Sequence, residues 1–254
     1  MSKLATYTIA NRPSASSNAG LMIFRTDTNN FEISDGTDWQ TYLSDGVFNY
    51  FGNNSYSASF DGTDDYVSIG VPLASELTFC AWIKPTANTG YAPVIAAGSN
   101  TYYNVSLNYS NGAVTFQSRA GGNPAYASSA ILSLNVWSHI AATLDSSGLS
   151  VIYINGSSEA TSTTQQTPNA SSKANPRIGM TPRSDNSSRF TGYIDEVAIF
   201  NRAITASEIQ DIYNNKTYQN PQAMYRFENN FNDEFGSYNG TQSGGVTFST
   251  DKPY

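Results

Sequence analysis

Two groups of carboxylates in this sequence have residue types and spacing that can do chemistry. Asp195 and Glu196 are adjacent inside an apolar run, and Asp61, Asp64 and Asp65 crowd the glycine-containing stretch 60-FDGTDDYV-67. A retaining glycosidase needs two carboxylates about 5 Å apart, one of them a nucleophile. Adjacent residues on a strand point to opposite faces, so Asp195 and Glu196 do not read as that pair. Asp61, Asp64 and Asp65 read as part of a turn. His139 is the single histidine and Cys80 the single cysteine. His139 lies within the apolar run 136–144, and Cys80 lies between Phe79 and Ala81, which are positions of packing residues. One thiol excludes an intrachain disulfide and a thiolate zinc site. The sequence reads as that of a protein that is not an enzyme.

Sugar binding asks for other residues, an aromatic ring for the sugar face and Asn, Asp or Arg for its hydroxyls. Tyr102-Tyr103-Asn104, Tyr126 and the loop Arg183-Ser184-Asp185-Asn186 supply those types. Tyr102, Tyr103, Tyr126, Arg183 and Asp185 are therefore the candidate glycan-binding residues.

Composition narrows the partners. Charged residues make up 13% of the 254 positions, and the net charge is −7. An acidic chain has no basic face with which to displace counterions from phosphates, so nucleic acid is excluded. Anionic lipid is disfavoured on the same ground. No run approaches the 18 or so apolar residues of a membrane span, and Met1-Ser2-Lys3 is not followed by an apolar leader. Neither membrane insertion nor a secretory signal is expected.

The elements that must position these residues are almost all strands. In block 1–46, Leu21–Arg25 and Phe31–Ser34 flank the turn cluster Asp27-Thr28-Asn29-Asn30, which predicts a small β-hairpin module. Block 47–216 carries alternating β-rich runs separated by turns, as a two-sheet sandwich requires. The one convincing helix spans 205–216. Thr205 and Glu208 have capping-box spacing, and Ile209, Ile212 and Tyr213 share a face.

The ordered strings FDGTDDYV, LTFCAWIKP, WSHIAATLD, VIYINGS and RFTGYIDEVAIFNRAITASEI resemble the laminin G-like, concanavalin A-like jelly-roll family. The resemblance implies an all-β, two-sheet antiparallel sandwich with one concave sheet, often used to bind sugars or proteins. Relatives such as the laminarinases carry E-x-D-x-x-E on one strand, and this sequence has no such string. Asp195 in GYIDEV matches an aspartate that holds a structural calcium with backbone carbonyls in related sandwiches. The resemblance thus implies a calcium at Asp195 and Gly62 as the cofactor. The family's opening stretch, of the kind YRFEGNANDSSG, matches 225-YRFENNFND-233, which lies after the last strand instead of before the first. Either the sandwich is circularly permuted or a second repeat starts here. The expectation is that 217–254 completes the sandwich, its own or a neighbour's.

A second resemblance covers the N-terminus. Residues 12–24, RPSASSNAGLMIF, followed by TDTNNFEISDGTDW, are similar to a short module near the start of bacteriophage structural proteins, especially fibres and appendages of marine phages. It implies a virion-surface protein, such as a tail fibre, head fibre or capsid decoration, that attaches to other virion proteins through this module. The expected assembly is a homo-oligomer, with a trimer favoured, and the expected target is a host-surface glycan or protein. A bacterial surface or exported glycan-binding adhesin is the alternative, and a glycan hydrolase the third reading.

Overall fold

The computed structural model describes residues 6–8, 11–18, 22–25, 30–34, 39–42, 47–49, 54–88, 90–100, 102–121, 126–182 and 188–254. They form two compact units, one of 1–53 with 210–220 and one of 54–209 with 221–254.

In the first unit the strands Thr6–Tyr7, Met22–Arg25, Asn30–Ser34, Trp39–Tyr42, Val47–Asn49 and Thr217–Gln219 form one sheet in that order. From Met22 onward the pairing is an antiparallel meander, as turn clusters between β-rich runs dictate. Strand Val47–Asn49 was expected in the sandwich. It pairs instead with Trp39–Tyr42 on one side and Thr217–Gln219 on the other. A lone hairpin exposes its last edge, and the returning 217–219 strand covers it. Glu32 is buried and accepts from Arg12 at 2.9 Å, and the Ser34 hydroxyl donates to the Ala15 carbonyl at 2.7 Å.

The second unit is the all-β, antiparallel sandwich. Its seven-stranded sheet runs in the order Tyr126–Ile131, Ala113–Ala120, Tyr103–Ser110, Tyr91–Asn100, Arg177–Ile178, Tyr66–Ser68, Thr241–Ser243. The facing sheet runs Ser157–Ser162, Ser150–Ile154, Ser138–Leu144, Leu77–Pro85, Thr191–Phe200, Ser57–Asp61, Thr247–Ser249. Ala223–Tyr225 adds to Thr191–Phe200 beside this path. Phe79, Ile83, Ile140, Ile152, Ile194 and Ile199 meet Val67, Val94, Val105, Leu107, Val114 and Phe116 in one core. The helix is Ala206–Asn215, capped as its spacing predicts: Glu208 N donates to Thr205 Oγ1 at 3.2 Å, and Thr205 N donates to Glu208 Oε2 at 2.8 Å.

One irregularity organises the sandwich. Along Leu77–Pro85 the register steps from Asp195↔Trp82 to Ala198↔Cys80, so Thr191–Phe200 carries one extra residue. Glu196, at φ +48, is in the left-handed region at that point. Such a bulge bends and re-aims the strand. The other edge of the strand accordingly serves two partners. Thr191–Ile194 pairs with Ala58–Asp61, and Val197–Ile199 pairs with Ala223–Tyr225.

The segment after the helix supplies strands to both sheets. Thr241–Ser243 pairs with Tyr66–Ser68, and Thr247–Ser249 pairs with Ser57–Ser59. Tyr225 and Phe227 stack at 6.4 Å inside the core, and Phe231 lies 4.7 Å from Phe248. Asp233 accepts from the backbone of Met224 at 2.9 Å and from Ser237 and Tyr238 at 3.2 Å, which closes the intervening turns. Removing a buried Phe costs about 3–5 kcal/mol. Phe227→Ala should lower the free energy of unfolding by about that amount in denaturant titration. A chain lacking 223–254 should show no cooperative melt. A soluble truncated chain with an unchanged melting temperature would contradict the contribution of this segment to the core.

Candidate ligand-binding face and buried carboxylates

In strand Tyr103–Ser110, Val105, Leu107 and Tyr109 enter the core. Alternation therefore places Asn104, Ser106 and Asn108 on the face turned away from it. Their cross-strand partners are Arg119, Gln117 and Thr115. A row continues across the sheet from Gln117 through Ser106, Ala96 and Arg177 to Ser68. An outward polar face is ordinarily solvated. Here Asn104, Ser106, Asn108 and Gln117 are all buried, at 5%, 1%, 0% and 2% exposure.

The polar groups of this face form a network. The Tyr91 and Ser106 hydroxyls are 2.8 Å apart, and Gln117 Nε2 donates to Ser106 Oγ at 2.9 Å and also to the Tyr91 hydroxyl. The Arg177 guanidinium lies over the Tyr66 ring at 4.1 Å. Asn108 Oδ1, Gln117 Oε1 and Arg177 Nε are buried and make no hydrogen bond within the protein. Two acceptors and one donor without partners in the protein thus stand beside two tyrosines, the hydrogen-bonding types that a polyhydroxylated ligand complements. The strand end beyond Gln117 is held differently. Among the described residues, the pairing with Tyr126–Ile131 extends to Gln117. Ser118 N donates to Gln165 Oε1 and Ala120 N to Gln166 Oε1, both at 2.7 Å.

The sugar-binding candidates read from the sequence fall at one end of this sheet in part. Tyr102 is 63% exposed in the turn between two strands, and its N–H donates to Asn100 Oδ1 at 2.8 Å. Tyr103 pairs with Asn100 and Ala120, and Tyr126 pairs with Gln117. The side chains of Tyr103 and Tyr126 lie outside the described residues, as do Arg183 and Asp185 entirely. Sequence reading missed Tyr66, Tyr91, Ser106, Asn108, Gln117 and Arg177. The available signal was the polar phase of the alternating strings 103-YNVSLNYS-110 and 113-AVTFQSRA-120.

The carboxylates of the bulge are enclosed. Asp195 is fully buried, accepting from Asn54 Nδ2 and from Glu196 N, each at 2.8 Å. Glu196 is 1% exposed and accepts from Arg226 Nε at 2.9 Å. Arg226 Nη2 also stands 3.8 Å from Glu228 Oε1, and the Tyr254 hydroxyl bonds Glu196. Burial, then the charge of Glu196, pushes the Asp195 carboxyl well above the usual carboxylate range, against the pull of Asn54, the Glu196 amide and Arg226. Burial also raises the Glu196 carboxyl, with Arg226 holding it down. The expected joint calcium at Asp195 and Gly62 does not fit. The register pairs Ile194 with Ala58 and Thr191 with Asp61, so the two residues lie about five strand positions apart, roughly 17 Å. Gly62 is needed for its turn instead: at φ +79, a Cβ there would stand 2.0 Å from Thr191 Oγ1.

Neither single reactive residue is placed for chemistry. Cys80 is buried and burial drives its thiol far above the usual range, so no thiolate forms. His139 is buried with its ring 5.6 Å from that of Trp82. Among the described residues no helix is long and apolar enough to cross a membrane.

Residues 61–210 match the family model of the concanavalin A-like lectin/glucanases superfamily. Comparison with curated protein sequences found no match. Among solved structures, the chain is similar to a Bacteroides ovatus protein provisionally assigned to carbohydrate binding, with a TM-score of 0.60, 18% identity, and 86% of this chain and 72% of that one covered. It is similar to the native heptameric SAP-like pentraxin of Limulus polyphemus, with a TM-score of 0.60, 16% identity and coverage of 78% and 96%. It is also similar to domain 4 of a GH43 extracellular arabinanase from Geobacillus stearothermophilus, solved with arabinotriose, with a TM-score of 0.52, 19% identity and coverage of 67% and 82%. At these identities the likeness is one of fold.

The raised Asp195 carboxyl has a consequence for stability. The folded state holds a proton that the unfolded chain releases at lower pH, so the contribution of Asp195 falls as pH rises towards its folded value. In Asp195→Asn the amide keeps the Glu196 bond, and a flipped Asn54, whose Oδ1 has no partner, accepts the new donor. The melting temperature of the variant should therefore decline less than that of the wild type between about pH 5 and about pH 8. Parallel curves would contradict the buried, neutral carboxyl.

Proposed function

Because the chain belongs to the concanavalin A-like lectin/glucanases superfamily, we propose that it is a non-catalytic carbohydrate-binding protein whose recessed polar face takes the sugar, and that it is displayed on a bacteriophage virion. The observation that carries the binding assignment is the set of unpartnered Asn108 Oδ1, Gln117 Oε1 and Arg177 Nε beside Tyr66 and Tyr91. An outward face of a sheet has no packing reason to hold buried amides with spare acceptors. Sugar hydroxyls are donors and acceptors together, so one ligand class satisfies all three. The arabinotriose-bound arabinanase domain of the same fold supports that ligand class.

The virion assignment is supported by the likeness of 12–24 and the following TDTNNFEISDGTDW to the attachment modules of phage structural proteins. In this reading the first unit joins other virion proteins, the chain is a homotrimer, and the sandwich meets a host-surface glycan. A single face of this kind makes few hydrogen bonds, each contributing about 1 kcal/mol net, so each site is weak. Three linked copies convert weak sites into avid attachment.

An oligosaccharide array spanning arabino-oligosaccharides, sialylated glycans and bacterial surface polysaccharides provides the test. Gln117→Ala and Arg177→Ala should each weaken binding to the best array ligand about tenfold, the equivalent of 1.4 kcal/mol. The Tyr91–Ser106 bond remains in Gln117→Ala, and a cooperative melt of that variant shows that loss of binding is not loss of the fold. Undiminished binding by both variants would exclude this face. Release of reducing sugar would point to the hydrolase instead. Mass spectrometry of purified phage particles should find the chain, whereas its presence on an uninfected bacterial surface would favour an exported adhesin.

A further inference from the structure

The turn between Ser57–Asp61 and Tyr66–Ser68 is separate from the polar face and from the buried bulge. We propose that Asp61, Asp64 and Asp65 in this turn bind one calcium ion, and that the ion secures the closing hairpin of the chain. One carboxylate oxygen from each residue lies within 4.8 Å of the other two. Two ligands on opposite sides of a calcium, each at about 2.4 Å, are about 4.8 Å apart, so all three oxygens fit one coordination sphere.

The cluster itself does not make the case; the state of Asp65 does. Asp65 is 97% enclosed, at 3% exposure, while Asp61 and Asp64 are exposed. Its Oδ2 accepts from Asp61 N at 2.8 Å, and its Oδ1 is buried without any hydrogen-bond donor. A buried carboxylate oxygen lacking a donor, with two further carboxylates beside it, is electrostatically incomplete. A divalent cation supplies the missing partner for Oδ1 and neutralises the three charges together.

The donors choose the metal. All are hard carboxylate oxygens on a short turn, with no imidazole or thiolate among them, which disfavours zinc. Calcium tolerates irregular oxygen geometry, whereas magnesium demands a near-ideal octahedron and retains its waters.

The same turn is met by the chain's last hairpin. Gly244, at φ +85, approaches so closely that a Cβ there would stand 2.3 Å from the Asp64 carbonyl oxygen. A Cβ on Gly245 would stand 3.8 Å from Asp65 Oδ1. These glycines link Thr241–Ser243 and Thr247–Ser249, the strands paired to the two strands on either side of the acidic turn. An ion in the turn therefore holds the surface on which that hairpin closes.

Calcium titration of the full chain, read by thermal melting and by calorimetry, tests this. At a hundredfold excess over Kd, calcium should raise the wild-type melting temperature by roughly 5–10 °C relative to chelator. Asp64→Asn and Asp65→Asn should each lose most of that rise, and Asp195→Asn should keep it. Asp64 is exposed, so its variant folds even if that of Asp65 does not. Protease cleavage within 240–254 should slow in calcium for the wild type alone. Equal melting in calcium and chelator, an undiminished rise in Asp64→Asn, or an equal response to magnesium would each overturn the proposal. Loss of sugar binding in Gln117→Ala leaves it untouched, so the two readings fail separately.

Discussion

The sandwich depends on a single extra residue. At Glu196 the strand Thr191–Phe200 bulges, and the bulge decides which segments share its edge. Before it, the edge takes Ala58–Asp61; after it, Ala223–Tyr225. A regular strand would carry one register and one partner along its length. The bulge instead lets a segment far along the chain enter the same sheet and place Tyr225 and Phe227 in the core.

What sits in the bulge is electrostatically demanding. Glu196 and Arg226 form an ion pair whose side chains are 0% and 3% exposed, next to a buried Asp195. Desolvating such a pair consumes most of its Coulombic attraction, so it is a weak source of stability. Its value is in selection. Arg226 lies one residue beyond the strand Ala223–Tyr225, and any other docking of that segment would leave Glu196 buried without its cation. Asn54 ties the start of the second unit to the same place through Asp195, and the Lys252 ammonium donates to the Asn54 carbonyl. The C-terminal residues add to this: Asp251 accepts from Trp137 Nε1 at 2.8 Å and from Lys84 Nζ at 2.5 Å, and Tyr254 packs on Trp82.

The seven-stranded sheet shows the opposite treatment of polar groups. Gln165 and Gln166 accept from the backbone donors of Ser118 and Ala120. The buried acceptors of Asn108 and Gln117 lie a few residues away and are left open. That contrast within one sheet is the ground on which the proposed sugar site rests.

The sequence by itself determined what is written locally. Alternation in LTFCAWIKP and SHIAATL predicts strands, turn clusters predict the N-terminal meander, and Thr205 with Glu208 predicts the helix start. These signals are local because strand alternation and capping act between residues a few positions apart. The all-β sandwich class followed from them, and the jelly-roll expectation from the resemblance of the ordered strings. Only the tertiary structure decided the rest. Asp195 and Glu196 read as ordinary alternating neighbours, and the bulge that encloses both depends on partners from 54–61 and 223–228. Val47–Asn49 falls inside the block 47–216 assigned to the sandwich, yet it pairs with 217–219, a choice made by the free edge of a different sheet. The polar face was equally hidden: Ser106, Asn108 and Gln117 are commonplace outward residues until three strands and Arg177 are brought into register around them. Register between distant strands is set by which edges remain open once the local elements exist, and no short stretch of sequence carries that information.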